Sequence, residues 1–319
     1  MKMRLVSDRK RPQLSSRSPA LSVVVVTVYD SEHLSRCLDA LMNQVDPPTM
    51  EIIAVYHERV PGIRALMEEH PEVIFLLAPG DQTQDRMLAL GINRTRGGII
   101  ALTVDHCTPE RHWCRRMVDA HASGHGAIGG GLEFGDQPST AANWAVHLYD
   151  YCSYGYYQFP VKNGPARELS DCNVSYRREV LTSIADRWTD SFHVPIINRL
   201  LGGSGTMLRF SSGLLVYQHR SIDFASAARI AYTRGRAFAS ARVGGYGFMK
   251  RLRYTLLSPL LPAKLIAKLL VNMLPKGAHR MEFARAFPLI VIFLFLWSAG
   301  EFKGFLTGRR GEVILVTQE

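Results

Sequence analysis

Residues 21–28 read Leu-Ser-Val-Val-Val-Val-Thr-Val, an unbroken β-branched run of the kind that a strand buried on both faces requires. A strand covered on both sides needs helices on each side of its sheet, and the chain supplies them at once. Leu34, Cys37, Leu38, Leu41 and Met42 recur at helical spacing after the short turn Tyr29-Asp30-Ser31. Further apolar runs follow at 51–55, 73–77 and 98–104, with a helical stretch over 83–94 before the last. Strands alternating with helices of about ten to fifteen residues imply a parallel, doubly wound sheet. Ligands in such sheets bind at the carboxyl ends of the strands. That rule puts Tyr29, Asp30, His57, Glu58 and Asp105 at one edge.

The rest of the chain narrows the class of protein. With 319 residues, 47% of them apolar, a sizeable core and more than one domain are affordable. The net charge, 38 − 28 = +10, favours anionic partners: phosphate-bearing substrates, nucleic acid or an anionic membrane surface. No zinc-knuckle spacing, leucine heptad or ribonucleoprotein pattern accompanies it, so no nucleic acid is expected. Five cysteines without C-x-x-C spacing indicate neither a disulfide framework nor a zinc knuckle, and suit a reducing compartment. Residues 1–20 are basic, rich in Ser and Pro, and lack an apolar segment, which reads as a disordered arm rather than a signal peptide.

The middle of the chain is mixed. It holds a Gly129-Gly130-Gly131 stretch, an aromatic cluster from Trp144 to Phe159, a strand-like Glu168–Tyr176, a helical pattern near 190–201 and a strand pair ending at His219. Residues 225–242 read as a basic amphipathic helix carrying Arg229, Arg234, Arg236 and Arg242. Residues 254–275 are apolar but interrupted by Pro259 and Pro262. The uncharged run from Ala286 to Gly300 is fifteen residues, short of the roughly 20 that a span needs. A tilted single span, an interfacial or re-entrant helix, and a buried core helix all remain open. Lys and Arg flank the run on both sides, so charge assigns no orientation.

Read in order, several segments resemble one family. These are LSVVVVTVYDSEHLSRCLDALMNQ, then Arg86-Met-x-x-Ala-x-Gly91-x-Asn93, then the strand ending Thr103-Val104-Asp105-His106-Cys107 with Pro109 and Trp113. Next come Asp171-Cys172-Asn173 with Arg177-Arg178, and the closing Val216-Tyr-Gln-His219. The series is similar to the family 2 glycosyltransferases of GT-A fold. Arg234-Gly-Arg236 and Trp297-x-x-Gly-Glu301-x-x-Gly304-x-x-x-Gly308 resemble the membrane-proximal tail of a bacterial subgroup. The resemblance implies an α/β, Rossmann-like mixed sheet followed by a C-terminal membrane-associated helical region. Its expected divisions are an arm over 1–20 and a GT-A domain over 21–222, split into a nucleotide-sugar half (21–125) and an acceptor half (126–222). Residues 223–319 form the membrane-associated region.

The resemblance also implies roles. Asp105 would hold a divalent cation, Mg2+ or Mn2+, against the donor diphosphate, with His219 reaching the same metal. Where the family carries a further acid this chain has Val104, and His106 either adds a ligand or caps the strand. Thr27, Tyr29, Asp30, Glu58, Arg86, Asp171, Asn173 and Arg236 would line the nucleotide-sugar. The family's paired acids after the second strand are replaced by Tyr56-His57-Glu58, so a ring stacked on the base or a solvated turn fits equally. Asp30 has the helix N-cap as its plain alternative. Asp190, with His193 as rival, would be the catalytic base that deprotonates the acceptor hydroxyl. The expected activity is inverting transfer from a nucleotide-diphosphate sugar to a lipid-linked or cell-envelope glycan acceptor at the cytosolic face of the cell membrane. The alternative is a degenerate GT-A subunit that binds nucleotide-sugar without turnover, since the paired acids are incomplete.

Overall fold

The computed structural model describes residues 18–80, 82–220, 222–243 and 247–307. Most of the basic arm and the end of the C-terminal tail, with Gly308, lie outside the described residues. In chain order the elements begin β1 (Leu21–Val26), α1 (Ser31–Met42), β2 (Met50–His57), α2 (Ile63–Glu69), β3 (Ile74–Ala78), α3 (Gln84–Arg94) and β4 (Ile99–Val104). They continue β5 (Cys107–Pro109), α4 (Trp113–His121), β6 (Ala127–Phe134), α5 (Ala141–Val146), β7 (Gly164–Pro165), β8 (Val174–Arg177), α6 (Arg178–Thr182), α7 (Val194–Gly203) and β9 (Leu208–Gln218). Four long helices close the described chain: α8 (Phe224–Val243), α9 (Phe248–Leu257), α10 (Leu261–Met273) and α11 (Arg280–Thr307).

The strands form one mixed sheet in the order β3-β2-β1-β4-β8-β6-β9-β5, with β7 on β9. β1 runs parallel to β2 and β4, Val26 standing opposite both Val55 and Val104, while β8 is antiparallel to β4 and to β6. Every residue of β1 is buried, as its β-branched sequence demands of a central strand. The amino ends of three strands are pinned by one carboxylate. Glu51 accepts from Ser22 Oγ at 2.7 Å and from Arg96 N at 2.6 Å, and Arg96 Nε adds a bond at 3.0 Å. Burial opposes ionisation of Glu51, but these bonds and the Arg96 charge hold its carboxyl below the usual range.

The chain divides into two compact units: residues up to Gly130 with Lys162–Val216, and Gly131–Val161 with the residues from Tyr217 onward. The division cuts across the boundary expected at 222, because 131–161 joins the C-terminal helices. Trp144, Leu148 and Tyr149 share a core with Ala231, Leu269, Ile290 and Phe293. The first part of the aromatic cluster, Trp144 to Tyr151, lies on α5 and a π-helical turn at His147–Tyr151, whose spacing hides the 3.6-residue period, and the rest is turns. The expected strand pair ending at His219 is a single eleven-residue strand, β9.

In the second unit the expected breaks at Pro259 and Pro262 do not end the helix. Both prolines sit in the first turn of a helical segment, Ser258–Leu260 and α10, where the missing N–H has no partner to lose. Two helical stretches, Phe248–Lys276 and Arg280–Thr307, are consequently long and apolar enough to cross a membrane. The glycines of the tail motif mark a helix crossing. A Cβ at Gly235 would come 2.2 Å from Trp297 O, one at Gly300 2.1 Å from Tyr232 O, and one at Gly304 2.5 Å from Arg236 O. Only glycine allows α8 and α11 to approach so closely.

Candidate functional site at the carboxyl edge of the first unit

Asp105 follows the last residue of β4, where its backbone N–H still bonds Val26 O at 3.1 Å. Its side chain turns back to the exit of β1. Oδ2 accepts from Val28 N at 2.8 Å and Tyr29 N at 2.7 Å; Oδ1 accepts from His106 N at 2.9 Å and His106 Nδ1 at 3.1 Å. A carboxylate has about four lone-pair positions, and here each meets a donor. The residue is 1% exposed.

This arrangement bears on the metal expected at Asp105. Mg2+ and Mn2+ take oxygen ligands with lone pairs to spare. Asp105 would have to surrender bonds to the β1 exit to bind one, and Val104 offers no donor. The residues at this corner do not fit a hard cation gripped by Asp105. The carboxylate instead fastens the ends of β1 and β4 together.

The contacts extend outward from Asp105. The Tyr29 ring meets His106 edge-on, with centroids 4.9 Å apart. Burial alone would push His106 down, but hydrogen bonds and charge from Asp105 and Cys172 prevail and raise it to about 9. Cys172 is held below its ordinary value by hydrogen bonds with Cys107 and His106 against the opposing effect of burial, whereas burial and Cys172 push the Cys107 thiol up. Thr103 Oγ1 donates to Cys172 O at 3.0 Å, so the 171–173 turn is tied to β4. Thr27, wholly buried beside this corner, keeps an Oγ1 with no hydrogen-bond partner.

Asn173 serves the scaffold. Its Oδ1 accepts from Trp113 Nε1 at 2.9 Å and its Nδ2 donates to Leu214 O at 3.3 Å. A Cβ on Gly130 would lie 2.0 Å from Leu214 O and 2.6 Å from Asn173 Nδ2. That close approach is why β6 carries glycines here. Asp171 is partly exposed and accepts from Gln84 Nε2 at 2.8 Å. Asp85, in the first turn of α3, is held above the usual carboxylate range by burial and the Asp171 charge, while His193 pulls it down. Phe192 N donates to Asp85 O at 2.8 Å, drawing the 189–193 loop to the start of α3. Trp188 and Phe192 are buried on either side of the exposed Thr189, Asp190 and Ser191, and His193 is the exposed cap residue of α7.

The structure links Tyr29, Asp105 and His106 by contact and ties Asp171 to Gln84 at the start of α3, with Thr27, Asn173 and His193 on adjoining segments. Asp30 occupies the N-cap of α1, accepting from His33 N at 2.8 Å. Glu58 is an exposed turn residue just past β2, and Arg86 is an exposed first-turn residue of α3 that reaches Gln82. His219 and Arg236 belong to the second unit. There His219 Nδ1 lies 2.6 Å from Asp136 Oδ1, and Arg236 has a buried Nε within the α8–α11 crossing. Gln84 and Asp85 were not singled out by sequence. An acid in the first turn of a helix is ordinarily explained by the helix dipole alone.

Two cavities among the described residues lie elsewhere. One of about 190 Å³ is lined by Ile100, Arg178 and Trp188, and one of about 260 Å³ by His125, Arg177 and Met207. Neither includes Tyr29, Asp105 or Asp171.

A parallel β1–β4 core, extended through the antiparallel β8 to β6 and with polar residues collected at its carboxyl edge, is a sheet of GT-A type. The model of glycosyl transferase family 2 matches residues 22–184, and the chain belongs to that family. It is 21% identical over 196 residues to the glycosyltransferase AglE of Haloferax volcanii, a match covering 60% of this chain. The chain spans about 60% of that relative's length. It is also similar to a solved mannosyltransferase, PcManGT of Pyrobaculum calidifontis in complex with GDP-Man and Mn2+. That match has 14% identity and a TM-score of 0.49, and covers 92% of this chain and 90% of the other.

Proposed function

We propose that the chain transfers a sugar from a nucleotide-diphosphate donor to a lipid-linked or glycan acceptor, with inversion, at the cytosolic face of a membrane. What supports this reading is the match to glycosyl transferase family 2 over residues 22–184; the Asp105 clamp shapes the edge where a donor would bind. Its bonds to Val28 N and Tyr29 N join the exits of the two central parallel strands, and Thr103 ties the 171–173 turn to the same edge.

In this reading the donor's nucleoside lies along Thr27, Tyr29 and Glu58, with Arg86 toward the phosphates. Asp171 orients the transferred sugar. The acceptor hydroxyl approaches from the 189–193 loop, where His193 or Asp190 takes its proton as it attacks the anomeric carbon and the nucleotide leaves. The nucleotide-sugar and acceptor halves of the expected GT-A domain correspond to these donor and acceptor sides. The apolar surfaces of α9–α11 are the membrane contact: Phe248, Leu256 and Phe295 are 75%, 67% and 57% exposed.

A second reading, donor binding without turnover, draws support from Val104 and from the saturated Asp105 carboxylate. Purified full-length protein is screened by thermal shift against nucleotide-diphosphate sugars, then assayed for transfer to membrane lipid extracts. One nucleotide class should stabilise the fold, by about 2.7 kcal/mol at a hundredfold excess over Kd, and support transfer. Stabilisation without transfer selects the binding subunit. No shift with any donor removes both readings.

A further inference from the structure

The corner that fails to suit a hard cation holds a different donor set. A ring nitrogen of His106 and the Sγ atoms of Cys107 and Cys172 lie within 4.8 Å of one another, and all three residues are buried. They come from separate pieces of chain. His106 and Cys107 sit at the β4–β5 corner, and Cys172 lies in the turn before β8, drawn there by the Thr103 bond to its carbonyl. In tetrahedral zinc sites the ligand atoms stand about 3.5–3.8 Å apart, as metal–ligand lengths near 2.3 Å for sulfur and 2.0 Å for nitrogen require. The trio needs only a small inward adjustment to reach that geometry.

The surroundings match a ligand set as well. Asp105 Oδ1 holds the Nδ1 side of the His106 ring, which leaves Nε2 as the ring nitrogen with a lone pair to give. A carboxylate holding the far nitrogen of a ligating histidine is the usual outer support of a metal-bound imidazole. Asp171 Oδ1 lies 3.6 Å from Cys172 Sγ, on the partly exposed side of the trio.

We propose that His106, Cys107 and Cys172 bind a thiophilic divalent cation of the zinc class, with Asp105 as the positioning residue behind His106. Imidazole and thiolate donors select such an ion over Mg2+ or Mn2+. Binding displaces protons from the imidazole and thiols. The site exists whether or not the chain transfers sugar; only its use near the donor rests on that reading.

The test uses full-length protein stripped of metal and titrated with Co2+ in the absence of any nucleotide-sugar, so it stands apart from the transfer assay. The expected result is one equivalent bound, with a sulfur-to-cobalt charge-transfer band that zinc abolishes and excess Mg2+ leaves intact. Cys107→Ser and Cys172→Ser should each weaken the band, whereas Cys114→Ser, buried in α4 outside the trio, should not. Asp105→Asn should keep the band but lower affinity about 10- to 100-fold. The wild-type titration needs no variant to fold. Absence of the band from folded wild-type protein overturns the proposal, as does a band that Mg2+ displaces or that survives unchanged in both serine variants.

Discussion

The two units use apolar residues in opposite ways. In the first, β1 and the inner face of α1 are wholly buried, and polar side chains are spent fastening strand ends: Glu51 at the amino edge, Asp105 at the carboxyl edge. In the second, Phe248, Met249, Leu256, Leu260 and Val271 stand 65–75% exposed on α9, the Ser258–Leu260 turn and α10. Burial of about 25 cal/mol per Å² drives the first arrangement. The second leaves that energy ungained in water, as a membrane-facing surface would under the proposed function. Polar atoms therefore report geometry in one unit, and apolar atoms report environment in the other.

The largest expected effect is at Asp105. Asp105→Ala leaves three backbone N–H groups and the His106 ring without their acceptor, and should cost about 3–5 kcal/mol in urea unfolding. A loss below about 1 kcal/mol would show that the carboxylate does not clamp the strand ends and is free for a cation. Next, His193→Ala should lower kcat about 10²- to 10⁴-fold with an unchanged melting temperature, and Asp190→Asn should lower it less. The reverse order in steady-state kinetics hands the proton to Asp190. In the second unit, Gly300→Val forces α8 from α11 and should cost roughly 1–3 kcal/mol by the same unfolding measure. Smallest in stability is Phe248→Glu with Leu256→Glu, within about 0.5 kcal/mol each, yet the pair should release the protein from anionic vesicles in a flotation assay. Retained flotation would break the comparison between the units.

The amino-edge clamp adds a pH dependence. Glu51 titrates below its unfolded value, so its contribution is complete above the ordinary glutamate range and disappears as pH falls through the lowered folded value. Urea midpoints of Glu51→Gln and wild type should converge in acid. Curves that stay parallel throughout would remove Glu51 from that role.

Much of the first unit was legible because strand burial writes itself into sequence: the valine run of β1 and the helical spacing of Leu34, Cys37, Leu38 and Leu41 needed no tertiary knowledge. The site was legible as a set of positions but not as roles. Whether an acid after a strand faces outward or bends back depends on the turn at 27–29, which brings two N–H groups under Asp105. The pairing of Cys107 with Cys172 depends on how the 171–173 turn meets β4, sixty-odd residues away in sequence. In the second unit, the π-helical turn at His147–Tyr151 concealed the α5 period, and prolines in first turns looked like breaks.

Amide hydrogen exchange tests the central claim most directly, comparing free protein with protein saturated by the nucleotide-diphosphate sugar that gives the largest thermal shift. Slowed exchange at residues 27–29, 105–107 and 171–173 together is the predicted result. Protection confined to other segments, or none at the exits of β1 and β4, would contradict it.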